Sequence, residues 1–220
     1  MNKILSVIRL DFYTLKPYQK SIFGMLLIWL ILFLVFRSIG ILAGIVMISL
    51  TLFATYPFSI GERYDLDTLY ATLSLKRKDV VIGRYAFAFI IELIGVAAVF
   101  ILSALPFLNG MENTSFAELA VVICVLYAVS SLVIATQNPI FFKYGYTKSK
   151  LFTYLPLILV FLMITLIPIL MNNIGINLPA LFETAMTNMF VIGVACVVAG
   201  LILQTLSCIL SCKFYEKRDL

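Results

Sequence analysis

The side chains able to do chemistry are gathered mostly in one stretch. Gly61 to Arg84 carries nine charged residues: Glu62, Arg63, Asp65, Asp67, Lys76, Arg77, Lys78, Asp79 and Arg84. Within it, Leu66, Leu69, Tyr70 and Leu73 recur at i, i+3, i+4 and i+7, the spacing of one face of a short helix. Asp65 is placed to cap that helix, since its carboxylate can accept from the free N–H groups of the first turn. An apolar helix face of this kind suits a groove in a soluble partner. Beside the basic Lys76-Arg77-Lys78 patch it also suits a headgroup surface. Catalysis is poorly provided for. There is no GxxxxGK[ST] phosphate loop, and Gly145-Tyr146-Thr147-Lys148-Ser149 has the wrong spacing to cradle phosphates. The chain has no histidine, so no His-based triad or metal set exists. No lysine falls within an expected span, which disfavours a Ser-Lys dyad. Cys124, Cys196, Cys208 and Cys212 show no paired CxxC spacing and read as small apolar packing residues. The expectation is that this chain catalyses nothing and binds no metal or cofactor itself.

Two more polar residues stand apart. Glu92 lies in an apolar run, where a carboxylate is costly and tends to face a bundle interior or water. It is either a lining residue or helix-helix link, or a shallow carboxylate near the headgroups. Gln204 is mid-run and suits an interhelical hydrogen bond. Gln137 and Asn138 are nearer an end and read as interfacial.

The elements that must carry these residues are set by composition. Of 220 residues, 63% are hydrophobic and only 12% are charged, about half the charge of an ordinary soluble domain. The fold class is therefore all-α, a polytopic membrane protein in one domain over residues 1–220. Residues 1–19 read as an interfacial helix with Ile4, Leu5, Ile8, Phe12 and Leu15 on one face. Six spans are expected at about 21–36, 39–60, 85–108, 116–140, 153–171 and 188–211. The first is basic-flanked but lacks a small-x-small cleavage site, so it reads as retained. Gly40 and Gly44 form a GxxxG pair, which lets helices approach closely in lipid. Asn113-Thr114-Ser115 matches a glycosylation acceptor in a short polar loop.

Charge sorts cleanly on this layout. With both termini inside, the N-terminal segment, residues 61–84, the 141–152 loop and the tail hold 15 of the 16 Lys and Arg residues. Only Arg37 falls on the other side. This sets a cell-membrane protein with cytoplasmic termini. The net charge of +5 then reflects contact with lipid headgroups rather than nucleic-acid binding.

The central stretch also carries a resemblance. Glu62-Arg63 after a span, the Leu66–Leu73 helix, Lys76-Arg77-Lys78 and the Gly83-Arg84-Tyr85 entry into the next span are similar, in order, to the cytoplasmic connection of type-2 ATP-binding-cassette exporter permeases. Ser74-Leu75 stands where that family often has Leu-Pro. The resemblance implies a permease subunit that pairs with a second permease and with cytoplasmic ATPase subunits holding ATP and Mg. It implies that Glu62, Leu66, Leu69, Tyr70, Leu73, Lys76, Arg77 and Lys78 couple to the ATPase. Contact between permeases is expected at Gly40 and Gly44, or at Ala195, Ala199 and Gly200. The exported cargo would be a peptide, lipid or drug-like molecule. Two other readings stay open on residues alone: an ion-coupled secondary transporter, and a non-transport scaffold or immunity-type protein.

Overall fold

Inside lipid a backbone must satisfy its own polar groups, and long apolar runs do so as helices. The computed structural model describes residues 3–36, 38–72, 75–103, 116–173 and 188–217. Arg37, Leu73, the connections at 104–115 and 174–187, and with them Asn113-Thr114-Ser115, lie outside the described residues. In chain order the helices are α1 (Lys3–Leu15), α2 (Gln19–Phe36), α3 (Ile39–Phe53), α4 (Tyr56–Arg63) and α5 (Leu66–Thr72). Then come α6 (Arg77–Ser103), α7 (Phe116–Tyr144), α8 (Tyr146–Ser149), α9 (Leu155–Asn173) and α10 (Met189–Glu216). No strand occurs among the described residues.

Among the described residues, four stretches are long and apolar enough to cross a membrane. They are Ile39–Arg63, where α3 runs on into α4, together with α6, α7 and α10, of 25, 27, 29 and 28 residues. Several helix ends differ from the sequence expectation. α6 begins at Arg77 rather than near 85, so most of the basic patch is the entry turn of a long helix and not a free loop. α7 continues through Gln137, Asn138 and Pro139 to Tyr144. Gln137 and Asn138 are buried within the bundle, at 1% and 3% exposure. The helix survives Pro139 for a local reason. Proline has no N–H and leaves the carbonyl four residues back unpaired. That carbonyl belongs to Ala135, and the Ser207 hydroxyl of α10 donates to it at 2.6 Å.

α6, α7 and α10 form the centre. α10 buries Gly193, Gly200, Gln204, Ser207, Ser211 and Tyr215, one seam at mixed three-, four- and seven-residue spacing. At Gly200 an added Cβ would lie 2.8 Å from Tyr127 Cε1 and 3.1 Å from Ser131 Oγ. The close approach expected of Gly200 with a second permease is therefore spent within the chain, where α10 meets α7. The Tyr85 hydroxyl of α6 shares hydrogen bonds with Ser207 and Ser211 Oγ at 2.6 and 2.8 Å. Apolar clusters fill both ends. One holds Trp29, Ile39, Val46, Val99 and Ile123. The other holds Val7, Phe58, Tyr70, Val81, Phe141 and Tyr215, and so draws α1, α4, α5, α7 and α10 around the start of α6.

α1 packs on α6 by a face that only partly coincides with the one expected to lie on the headgroups. Val7, Asp11 and Leu15 are buried, while Leu5 and Phe12 are exposed. Gly83 explains the approach, since a Cβ there would sit 2.7 Å from Val7 Cβ and Cγ1. Only a residue without a side chain lets the two helices come this near.

Candidate functional site

The charged stretch forms a junction at the end of the bundle where α1, α5, α8 and the end of α10 meet. Its local geometry follows from its residues. Asp65 joins α4 to α5 with φ 49°, in the left-handed region that Asp tolerates better than most non-glycine residues. Its carboxylate accepts from the Thr68 hydroxyl at 2.5 Å. α5 then turns its apolar residues two ways. Tyr70 is 3% exposed and packs in the cluster with Phe58 and Tyr215. Leu66 leans on the same cluster. Leu69, one position before Tyr70, is 40% exposed. The four-residue apolar face expected for partner docking is thus divided: Tyr70 serves this chain's own core, Leu69 faces outward, and Leu73 lies outside the described residues.

The basic patch is divided too. Arg77 Nη1 donates to the carbonyls of Tyr215 and Glu216 at 3.1 and 2.8 Å. These are among the last carbonyls of α10, where the regular helical bonds run out; that of Tyr215 also accepts from the Lys217 N–H. A cation at a helix C-terminus also opposes the negative end of the helix dipole. Lys78 pairs with Glu216 at 3.4 Å, both side chains well exposed. Lys76 is exposed. Glu62 accepts from the Thr147 N–H at 2.9 Å, which ties α4 to α8. Gly145, with φ 80°, makes the turn that brings α8 there.

Beneath α5 lies Arg84, counted in sequence among the charged residues of the stretch and in the entry into the next span. It is 7% exposed. Its guanidinium lies 4.3 Å from the Phe58 ring centroid and 5.8 Å from that of Phe142, within cation–π range. Gly61 makes room, since a Cβ there would stand 2.7 Å from Arg84 Nη2. Asp11 of α1 is fully buried and feels the Arg84 charge. Burial pushes the Asp11 carboxyl up to about 6, against the pull of Arg84 in the other direction. Asp11 carried no functional signal in sequence; an acid in the middle of an apolar helix face was the one clue available.

Glu92 and Gln204 meet deeper in the bundle. Glu92 is 2% exposed. Its Oε1 accepts from Ser130 and Ser131 Oγ at 2.8 and 3.2 Å, and its Oε2 accepts from Gln204 Nε2. Gln204 Nε2 also reaches Ser131 Oγ at 3.1 Å. The carboxylate therefore links α6, α7 and α10. Ser130 and Ser131 were missed because an adjacent serine pair in an apolar helix gives no pattern of its own.

The residues expected between permeases are scattered. Gly40 is exposed, and a Cβ there would meet only Ser38 Oγ, at 4.0 Å. Gly44 is half-buried, and a Cβ there would stand 3.9 Å from the Leu126 side chain. Ala195 and Ala199 are exposed on α10, and Gly200 is buried.

Four long apolar helices among the described residues, a polar core at helix-helix contacts and a charged junction at one end define a multi-pass membrane protein. Residues 6–216 match the family model described as ABC-2 family transporter protein. No curated protein and no solved structure matches the chain. The family match covers nearly the whole sequence, so the chain belongs to the ABC-2 transporter family and is a membrane transport component of the permease type.

Proposed function

We propose that this chain is the permease subunit of an exporter driven by separate cytoplasmic ATPase subunits. Those subunits would hold the ATP and Mg. The chain itself would form one transmembrane domain over residues 1–220, with α2 and α9, of 18 and 19 residues, as the two further spans. Six spans place both ends of the chain in the cytoplasm of a cell-membrane protein. They also set 15 of 16 basic residues on one side, as the positive-inside rule requires. α1, with Leu5 and Phe12 left exposed, would lie in the headgroup plane. A second permease, identical or related, would complete the pathway.

The observation that carries this reading is the division of α5. Tyr70 anchors the helix to the bundle while Leu69 remains outside. An element held rigidly at its base and presenting an apolar residue outward can accept a push from a partner. Glu62, Lys76 and Lys78 surround it as the charged rim. Burying a leucine in a partner groove contributes about 1.5–3 kcal/mol, and each 1.4 kcal/mol or so is a factor of ten in affinity. The test is co-purification with a cytoplasmic ATPase. Leu69→Asp is expected to stay folded and inserted yet to lose the ATPase and transport. Retention of both at wild-type level would refute the docking.

A further inference from the structure

A cavity of about 240 Å³ opens between α6, α7 and α10. Its walls include Phe89, Leu93 and Val96 of α6, Ile123 and Tyr127 of α7, and Leu201 of α10. Leu93 and Leu201 are 48% and 41% exposed, so the mouth opens sideways, toward hydrocarbon in a membrane. The walls carry no polar surface. The charge lies just behind them. Glu92 stands on α6 between Phe89 and Val96, three residues from one and four from the other, so all three emerge on neighbouring sides of the helix. At Gly200 the Tyr127 ring and the Ser131 hydroxyl lie side by side, and that hydroxyl donates to Glu92. The Tyr127 ring lines the cavity and neighbours the serine that holds the carboxylate.

Glu92 has hydrogen-bond donors but no counter-ion. Residues 85–103, 116–142 and 189–212 contain no Lys or Arg. Among the described residues Glu92 forms no ion pair. Hydroxyl and amide donors ease the burial of a carboxylate without neutralising it. An ionisable group kept under these conditions within a membrane bundle marks a pathway or ligand site by default.

We infer that this cavity binds a lipophilic cation, with its apolar body against the aliphatic and aromatic walls and its positive charge directed through the Tyr127 side toward Glu92. A neutral hydrocarbon would gain only the walls. A cation gains the attraction of the carboxylate in a low-dielectric setting and the faces of Tyr127 and Phe89. The inference rests on the permease reading and narrows its cargo to one chemical class.

The test measures binding to the purified chain alone, in nanodiscs of phosphatidylglycerol, which bring no cationic headgroup. Without an ATPase in the assay, its outcome is separate from that of the docking test. The probes are benzyltrimethylammonium and its uncharged isostere neopentylbenzene. Wild type is expected to bind the cation at least tenfold more tightly than the isostere. Glu92→Gln should abolish that preference and leave binding of the isostere unchanged. Glu92→Asp, which keeps the charge, should retain part of the preference. Ala120→Phe, which fills the cavity, should weaken both probes. Equal binding of the two probes by wild type would overturn the proposal, whatever the variants do. So would an undiminished preference in Glu92→Gln.

Discussion

Asp11 is the residue whose setting makes the sharpest solution prediction. Its carboxyl rises from 3.8 to about 6 because burial disfavours the charged form. A carboxyl raised in the docked state binds its proton more tightly there than when released. The docked arrangement of α1 therefore holds its full advantage below pH of about 4 and loses it as pH climbs through about 6. A rise of this size corresponds to about 3 kcal/mol. Asp11→Asn keeps the shape and cannot titrate, so docking of α1 should become independent of pH across that window. Spin labels at Tyr13 and Tyr64, both exposed, read this in a cysteine-free background. The wild-type distance distribution should broaden above pH 6 and that of Asp11→Asn should not; equal broadening in both would refute the assignment. Gly83→Ala tests the same contact by volume. Its methyl group has no room against Val7, and overpacking of this kind costs about 1–3 kcal/mol. The same pair of labels should show α1 displaced at every pH, and an unmoved α1 would show that the contact yields freely. Asp11 gave no reading in sequence and Gly83 figured only in the resemblance, because burial of Asp11 and closeness at Gly83 depend on which face of α1 turns inward.

At the scale of elements, α5 shows how far the sequence pattern reaches. The i, i+3, i+4, i+7 spacing located a helix between Asp65 and the basic patch, and the helix is there. The spacing could not say how its residues divide between the chain's own core and its surface. Successive positions lie about 100° apart around a helix, which suffices to bury Tyr70 and expose Leu69. α6 starts ahead of the expected span because charged residues stop an apolar run without stopping a helix. The polar seam of α10 was half legible: Gln204 stood out, while Ser207 and Ser211 gain meaning only beside Tyr85 and the carbonyl freed by Pro139. The junction of α6 with α10 predicts a contrast between two neighbouring basic residues. Arg77→Gln removes charged hydrogen bonds to two carbonyls, each worth about 1.5–3 kcal/mol. Amides in the last turn of α10 should then exchange with solvent at least tenfold faster. Lys78→Gln breaks only an exposed pair, worth under about 1 kcal/mol, and should change exchange there little. Equal effects of the two substitutions would contradict the capping role of Arg77.

For the whole molecule, composition and charge sorting made a polytopic membrane protein legible from the start, and the family match over residues 6–216 agrees. The fold gathers α1, α5, α8 and the end of α10 at one pole, which the proposed topology would put in the cytoplasm. Single cysteines at Asn109 and Asn177 should accept a membrane-impermeant label from outside the cell, and one at Lys148 should not. Labelling at Lys148 would invert the topology. The central claim is that α5 is fixed from within and engaged from without, and photo-crosslinking at two adjacent residues tests it most directly. A crosslinker at Leu69 should capture a separate cytoplasmic ATPase subunit in the intact membrane, while one at Tyr70 should join only to this chain, near Phe58 or Tyr215. Capture of lipid alone from Leu69, or of the ATPase equally from Tyr70, would contradict it.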